Sequence, residues 1–276
     1  MTYQFLQPSS LSEATEILNS YENVRILAGG TDLLILLKDR VLSCKYVMDI
    51  KKIPEMNVFG KTEKGLEIGG AINLNKVLSS DLTGGSCSVL KDGAAALANS
   101  LLRNRATLIG NICNASPGGD MMPAALVLDA ELEAVSAKGK RQIPLCDFFT
   151  GVKKHVLQKN ELVTKIVFPP KKGKGVYLKK RRIKGHDLAQ VGLAAFWAED
   201  GHLSLALAAV APTPILIKGL GPFDKNALAG ARDSLERENF DKVSPISDTR
   251  SSMEYHIAMV KYFIDEVISK WTGVGV

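Results

Sequence analysis

Thr107-Leu108-Ile109-Gly110-Asn111-Ile112-Cys113-Asn114-Ala115-Ser116-Pro117-Gly118-Gly119-Asp120 sets five polar side chains (Thr107, Asn111, Asn114, Ser116 and Asp120) among glycines and small residues. Core packing does not need this mix. Glycine lets a backbone approach a ligand closely and adopt positive φ without a Cβ clash. Backbone N–H groups at such a turn, or at a helix N-terminus, attract anions. A second glycine turn lies upstream in Arg25-Ile26-Leu27-Ala28-Gly29-Gly30-Thr31-Asp32-Leu33-Leu34. Two such turns point to a long ligand gripped from both sides, with a diphosphate in the middle. The backbone near Gly110 and Asn111 is expected to hold phosphate oxygens, and Asp120 to accept hydrogen bonds from ribose or other hydroxyls. Without a ligand, the first is a strand-to-helix turn capped by Thr31 and the second a pair of Asx turns. The first turn lacks the G-x-G-x-x-G spacing, and no G-K-[ST] follows it, so the Rossmann and P-loop readings are poor.

Working outward, Ser10-Leu11-Ser12-Glu13 reads as a capping box opening a helix. Val24 to Leu27 is a short strand, and Thr31 is expected to cap a helix from Asp32 to Lys38. Tyr46 to Ile50 and Leu66 to Ile68 read as further strands, so the chain opens in short β and α units. An alanine- and leucine-rich helix is expected from Lys91 to Arg103, and another from Pro123 to Leu128. Strands follow at Glu131 to Val135 and Leu162 to Phe168. Pro169 to Gly175 joins proline, glycine and lysine and is the expected domain boundary. Beyond it, Val176 to Lys180, Val191 to Ala198, Leu203 to Val210 and Ile215 to Lys218 read as an antiparallel sheet. A helix with Met253, Ile257, Val260, Phe263, Ile264 and Val267 on one face closes the chain. The fold class is α+β.

The 276 residues suffice for a sizeable core, and 46% hydrophobic with 23% charged residues is ordinary for a soluble globular protein. No apolar run has the length of a membrane span. The start, Met1 to Phe5, has no charged region and no long apolar stretch, so no secretory signal and a cytoplasmic location are expected. Cys44, Cys87, Cys113 and Cys146 are not paired at metal-ligand spacing, and the four histidines are scattered, so no metal site is expected. The net charge is +6, with much of the excess in Lys171, Lys172, Lys174, Lys179, Lys180, Arg181, Arg182 and Lys184. This run reads as a solvated face or as a contact for an anionic cofactor or acidic partner. Nucleic acid is disfavoured, because stacking aromatics are not interleaved there apart from Tyr177.

The two glycine segments resemble the FAD-binding medium subunit of the molybdenum hydroxylases, the group of xanthine, carbon monoxide and nicotinate dehydrogenases. The resemblance spans the whole chain. It includes Arg103-Asn104, the Arg181 to Val191 stretch around His186-Asp187-Leu188-Ala189, and Val210-Ala211-Pro212-Thr213-Pro214. It implies a two-lobed vanillyl-alcohol-oxidase-type (PCMH-type) FAD-binding domain over residues 1–170, with lobes of about 1–55 and 56–170. A small α+β C-terminal domain of the carbon monoxide dehydrogenase flavoprotein type, with an antiparallel sheet, would fill 171–276. FAD would lie extended between the lobes, held non-covalently, since no histidine falls within the glycine segments. The implied contacts are Arg25, Ile26, Leu27, Ala28, Gly29, Gly30, Thr31, Asp32 and Leu33 in the first turn, and Leu97 and Ala98 before the second. Thr107, Gly110, Asn111, Cys113, Asn114 and Asp120 follow, with Ile166 and Lys179 towards the ring ends. The family usually has two glycines in Thr-Ile-Gly-Gly-Asn. Here Ile109 stands at the first of them, and isoleucine resists positive φ.

The resemblance implies an electron-transfer oxidoreductase subunit. Its partners would be a small subunit with [2Fe-2S] clusters and a large subunit with the molybdenum cofactor, in a hetero-oligomer such as a dimer of heterotrimers. NAD+, a quinone, oxygen or another acceptor would take the electrons, and no catalytic acid or base is required. Two alternatives stand beside it. One is a stand-alone flavin oxidase or reductase of the same fold, which needs a substrate pocket with an acid or base. The other is a non-enzymatic basic binding protein, supported only by the lysine-rich run.

Overall fold

The computed structural model describes residues 3–183, 187–240, 243–245 and 251–274. Lys184, Gly185 and His186, part of one family-like stretch, lie outside the described residues.

The chain starts with β1 (Gln4–Leu6), α1 (Leu11–Ser20), β2 (Val24–Leu27), α2 (Leu33–Lys38) and β3 (Tyr46–Asp49). Its three strands form a parallel sheet in the order β1-β3-β2. Ser10 caps α1 by accepting from the Glu13 N–H at 3.2 Å, while the Glu13 carboxylate accepts from the Ser9 N–H at 2.8 Å. The serine half of the capping box is as expected, while Glu13 reaches back to Ser9, one residue before the cap.

Next come β4 (Phe59–Thr62), β5 (Gly65–Gly69), α3 (Leu74–Ser79), α4 (Ser88–Ala96), α5 (Ser100–Arg103), α6 (Leu108–Cys113) and α7 (Met121–Leu126). Then follow β6 (Glu131–Ser136), β7 (Gly139–Pro144), β8 (Phe149–Gly151), β9 (Lys154–His155) and β10 (Leu162–Phe168). Five of these strands form an antiparallel sheet in the order β4-β5-β10-β6-β7. The helix expected unbroken from Lys91 to Arg103 is in fact two helices. It breaks at Leu97-Ala98, where Ala98 takes φ +47°, and restarts at Ser100.

The last unit is the sheet β11 (Gly173–Lys180), β12 (Val191–Ala198), β13 (Leu203–Ala208) and β14 (Ile215–Leu220), in sequence order. After it come α8 (Lys225–Ala229), α9 (Arg232–Phe240) and α10 (Met253–Thr272). Period-2 alternation sorts the two faces of β12. Val191, Leu193 and Ala195 pack with Val260, Phe263, Ile264 and Trp271 of α10. Ala194 and Phe196 face the other way, into the large core around α4 and α7. That face makes the last sheet a wall of the larger core. Among the described residues no helix is long and apolar enough to cross a membrane, and no group of His, Cys, Asp and Glu gathers as a metal would require.

Three cations of the basic run find partners within the chain, while Lys172 and Arg182 are exposed. Lys171 donates to Asp129 (2.7 Å) and to the Val127 carbonyl (2.9 Å). Lys174 lies over the rings of Trp197 and Trp271. Lys179 is buried against Asp120. The solvated-face reading therefore does not extend to Lys171 and Lys179, which packing pairs within the chain.

Candidate functional site

A cavity of about 1410 Å³ lies where the first sheet, the α4–α7 region and the last sheet meet. The first glycine turn lines it. Where β2 ends, the Ala28 carbonyl accepts from Lys51 Nζ (3.2 Å), and the same ammonium pairs with Asp49 at 2.6 Å. Burial alone would raise the Asp49 carboxyl, but Lys51 and Gln7 hold it below the usual carboxylate range. A Cβ on Gly29 would run into the Arg105 carbonyl, and Gly30 sits at φ +76°. Both glycines are thus required by backbone geometry. The N–H groups of Gly29, Gly30, Thr31, Asp32 and Leu33 find no acceptor among the described residues. Thr31 does not cap α2. Asp32 is the N-cap residue, and it makes no side-chain capping bond. Its carboxylate instead accepts from Asn114 Nδ2 at 3.0 Å, and Asn114 Oδ1 accepts from Lys153 Nζ at 2.8 Å. Asp32 and Asn114 therefore tie the two glycine segments together.

The second segment is a capped helix. Thr107 is the N-cap of α6, and its hydroxyl accepts from the Gly110 N–H at 2.9 Å. The Asn111 N–H donates to the Thr107 carbonyl at 3.0 Å. Both amides expected to hold phosphate oxygens are therefore used inside the chain, because the threonine cap folds the segment into a helix. Ile109 takes helical backbone and is 4% exposed, so a branched side chain suits the place of the family's first glycine. Asn111 Oδ1 accepts from the Met121 N–H (3.1 Å) and so fixes the start of α7. Burial pushes the Cys113 thiol up to about 12, which leaves it protonated and unreactive.

Asp120 is 5% exposed. One oxygen accepts from the Tyr177 hydroxyl at 2.8 Å and the other from Lys179 Nζ at 2.9 Å. Burial raises its carboxyl, and the cation and the hydroxyl pull it back. Tyr177 and Lys179 are two residues apart on β11 and so share a face. Gly192, opposite Lys179 in β12, leaves room for the tyrosine hydroxyl. The last sheet thereby brings a cation to the cavity wall.

Most residues expected from the sequence line the cavity: Arg25, Ile26, Ala28 to Leu33, Leu97, Ala98, Thr107, Gly110, Asn111, Cys113, Asn114, Asp120 and Lys179. Leu27 and Ile166 do not. Leu27 packs with Leu37 and Val47, and Ile166 is fully buried in the five-stranded sheet. Ile50, Gly70, Leu102, His155, Leu157 and Val163 also line it and were not expected, whereas Leu188 belongs to the family-like stretch around Asp187. The six are scattered along the chain and form no motif. The doublet Gly69-Gly70 was the one available signal: in the fold a Cβ at Gly69 would meet the Met56 carbonyl.

Five consecutive amides without acceptors suit an anion, and a diphosphate above all. The cavity exceeds the roughly 300–1,000 Å³ of ordinary small-ligand sites, and leucine, isoleucine and valine side chains in its wall suit ring systems. Fold and site together suit a dinucleotide-binding protein. The family described as the FAD binding domain in molybdopterin dehydrogenase matches residues 1–171. The glyceraldehyde dehydrogenase medium chain of Sulfolobus acidocaldarius is 33% identical over 268 residues, which is 94% of each chain. The xanthine dehydrogenase FAD-binding subunit of Escherichia coli O157:H7 is 29% identical over 95% of this chain and 93% of its own. Among solved structures, carbon monoxide dehydrogenase from Hydrogenophaga pseudoflava superposes with a TM-score of 0.86 at 27% identity, over 96% of this chain and 95% of that one. The chain belongs to the family of FAD-binding subunits of the xanthine and carbon monoxide dehydrogenases, which are oxidoreductases.

Proposed function

We propose that this chain is the FAD-carrying electron-transfer subunit of a molybdenum hydroxylase complex. In this reading it takes electrons from the [2Fe-2S] clusters of a small subunit and delivers them to NAD+ or another acceptor. A large subunit would hold the molybdenum cofactor, in a cytoplasmic hetero-oligomer such as a dimer of heterotrimers. Residues 1–170 would be the two-lobed PCMH-type domain and 171–276 the C-terminal domain, in keeping with a family match that ends at residue 171.

The row of open amides from Gly29 to Leu33 carries the cofactor assignment. These amides would hold the diphosphate. Lys51, through the Ala28 carbonyl, and Asn114, through Asp32, would keep the turn in place. Leu97, Ala98, Leu157, Val163 and Lys179 line the cavity and would contact the rest of the cofactor. Bound FAD supplies the redox chemistry, and the chain supplies position and electrostatics.

Purified protein should show flavin absorption or take up FAD with a defined affinity. It should also copurify with a cysteine-rich small chain and a large chain. A colourless preparation that takes up no FAD would sink the cofactor assignment. A flavin-bound chain that turns over a small organic substrate alone would replace the electron-transfer reading with that of a free-standing flavoenzyme.

A further inference from the structure

Arg103-Asn104 stands out in the sequence, yet Arg103 does not line the cavity. Its contacts lie just behind the wall. Nη1 is 2.9 Å from the Leu97 carbonyl, 3.3 Å from that of Ala98 and 3.4 Å from that of Ala95. Nε donates to Asn75 Oδ1 at 3.2 Å. Asn75 is itself fixed, donating to the Ser100 carbonyl (2.9 Å) and to Asn104 Oδ1 (2.6 Å). The remaining carbonyl, that of Ala96, accepts from Lys179 Nζ at 3.2 Å. Four successive carbonyls at the end of α4 are thus each held by a cation. The segment they hold carries Ala98 at φ +47°. Left-handed backbone disfavours an L-residue by about tenfold. Leu97 and Ala98, the two residues at this break, line the cavity.

We propose that Arg103 is a positioning residue for FAD, holding the Leu97-Ala98 wall in a left-handed kink that alanine would otherwise leave. A cation beside the carbonyls of a helix C-terminus is favourable in itself. The planar guanidinium adds what one ammonium cannot, reaching the Leu97 carbonyl and Asn75 at the same time. Arg103 and Lys179 share the helix end, and Lys179 also pairs with Asp120. The kink is therefore gripped from two sides. Asn99 caps α5 by accepting from the Leu102 N–H at 2.9 Å, so the chain resumes helix at once and the break stays short. The inference rests on FAD occupying this cavity.

FAD affinity, by titration of flavin fluorescence, and the visible circular dichroism of bound flavin test it on the full chain. Arg103→Gln should weaken FAD binding about tenfold or more, as loss of charge-assisted hydrogen bonds does, and should change the dichroism. Adding Ala98→Gly to that variant should recover about fivefold, because glycine takes the left-handed backbone without strain. Where Arg103→Gln does not fold, Arg103→Lys, with and without Ala98→Gly, should show the same loss and recovery. A folded Arg103→Gln chain with unchanged affinity and dichroism would overturn the proposal. So would a loss that Ala98→Gly does not recover. A wild-type chain that takes up no FAD would bring down the cofactor assignment and this inference together, whereas a flavin-bound wild type with an indifferent Arg103→Gln variant removes the inference alone.

Discussion

Gly29 and Lys179 show how single positions divide the work at this site. At Gly29 the Arg105 carbonyl stands where a Cβ would be, so Gly29→Ala must push the first turn away from the second segment. The expected outcome is at least a tenfold loss of FAD affinity, read by titration. Lys179 is 4% exposed at its side chain and Asp120 is 7% exposed. Lys179→Met leaves a buried carboxylate without its cation, and breaking such a pair costs about 3–5 kcal/mol. Urea unfolding should show most of that loss, less whatever the carboxyl regains by taking up a proton. The same variant should lower the flavin reduction potential, since a positive charge near the ring favours its reduced form. An unchanged potential would separate Lys179 from the flavin. The glycine requirement at Gly29 was legible as a motif. The partner that enforces it was not, because Arg105 lies far along the chain and only folding brings its carbonyl there.

Among the elements, α6 and α4 depart most from their sequence reading. The Thr107 segment reads as a ligand turn, yet it is a helix whose cap uses the two amides reserved for phosphate. Thr107→Ala should cost about 1 kcal/mol, the usual value of an N-cap, visible as a lower melting temperature. α4 has the composition to run on to Arg103, and helix propensity favours that. At its end two cations take up the carbonyls of Ala95 to Ala98, one of them from the distant strand β11, and Asn99 caps a new helix directly after. Tertiary contact overrides propensity there. Local signals hold at the Ser10 cap, at β2 and along most of the α10 face, where Val260, Phe263, Ile264 and Val267 are buried; they fail at Thr31, which does not cap α2, and at Met253, which is exposed. The last sheet was legible for the same reason, since β12 is apolar on both faces and is buried on both.

At the scale of the whole molecule, charge pairing predicts the response to acid. Hydrogen bonding to Arg141 lowers the Glu161 carboxyl. Burial alone would raise Asp129, but Lys171 and Lys218 bring it below the usual range. Asp49 is lowered likewise by Lys51. A carboxyl with a depressed folded value adds stability above its unfolded value and loses it as pH falls through the folded one. Stability should therefore be level above about pH 5 and fall below about pH 4, as calorimetry across that range would show. Glu161→Gln should flatten the fall. Asp120 works in the opposite sense, because its raised carboxyl binds a proton more readily when folded. Sequence alone was enough for the α+β class, the main strands, the closing helix and the two glycine segments, because caps, turns and apolar periods act within a few residues; the family resemblance added seventeen of the cavity-lining positions. Folding settled which amides stay open, that Lys179 meets Asp120, that Lys171, Lys174 and Lys179 find partners within the chain, and that Ile166 and Leu27 stay in the core. Those outcomes depend on which distant surfaces pack together, and burial sets the energy of each pairing in a way that local spacing does not encode.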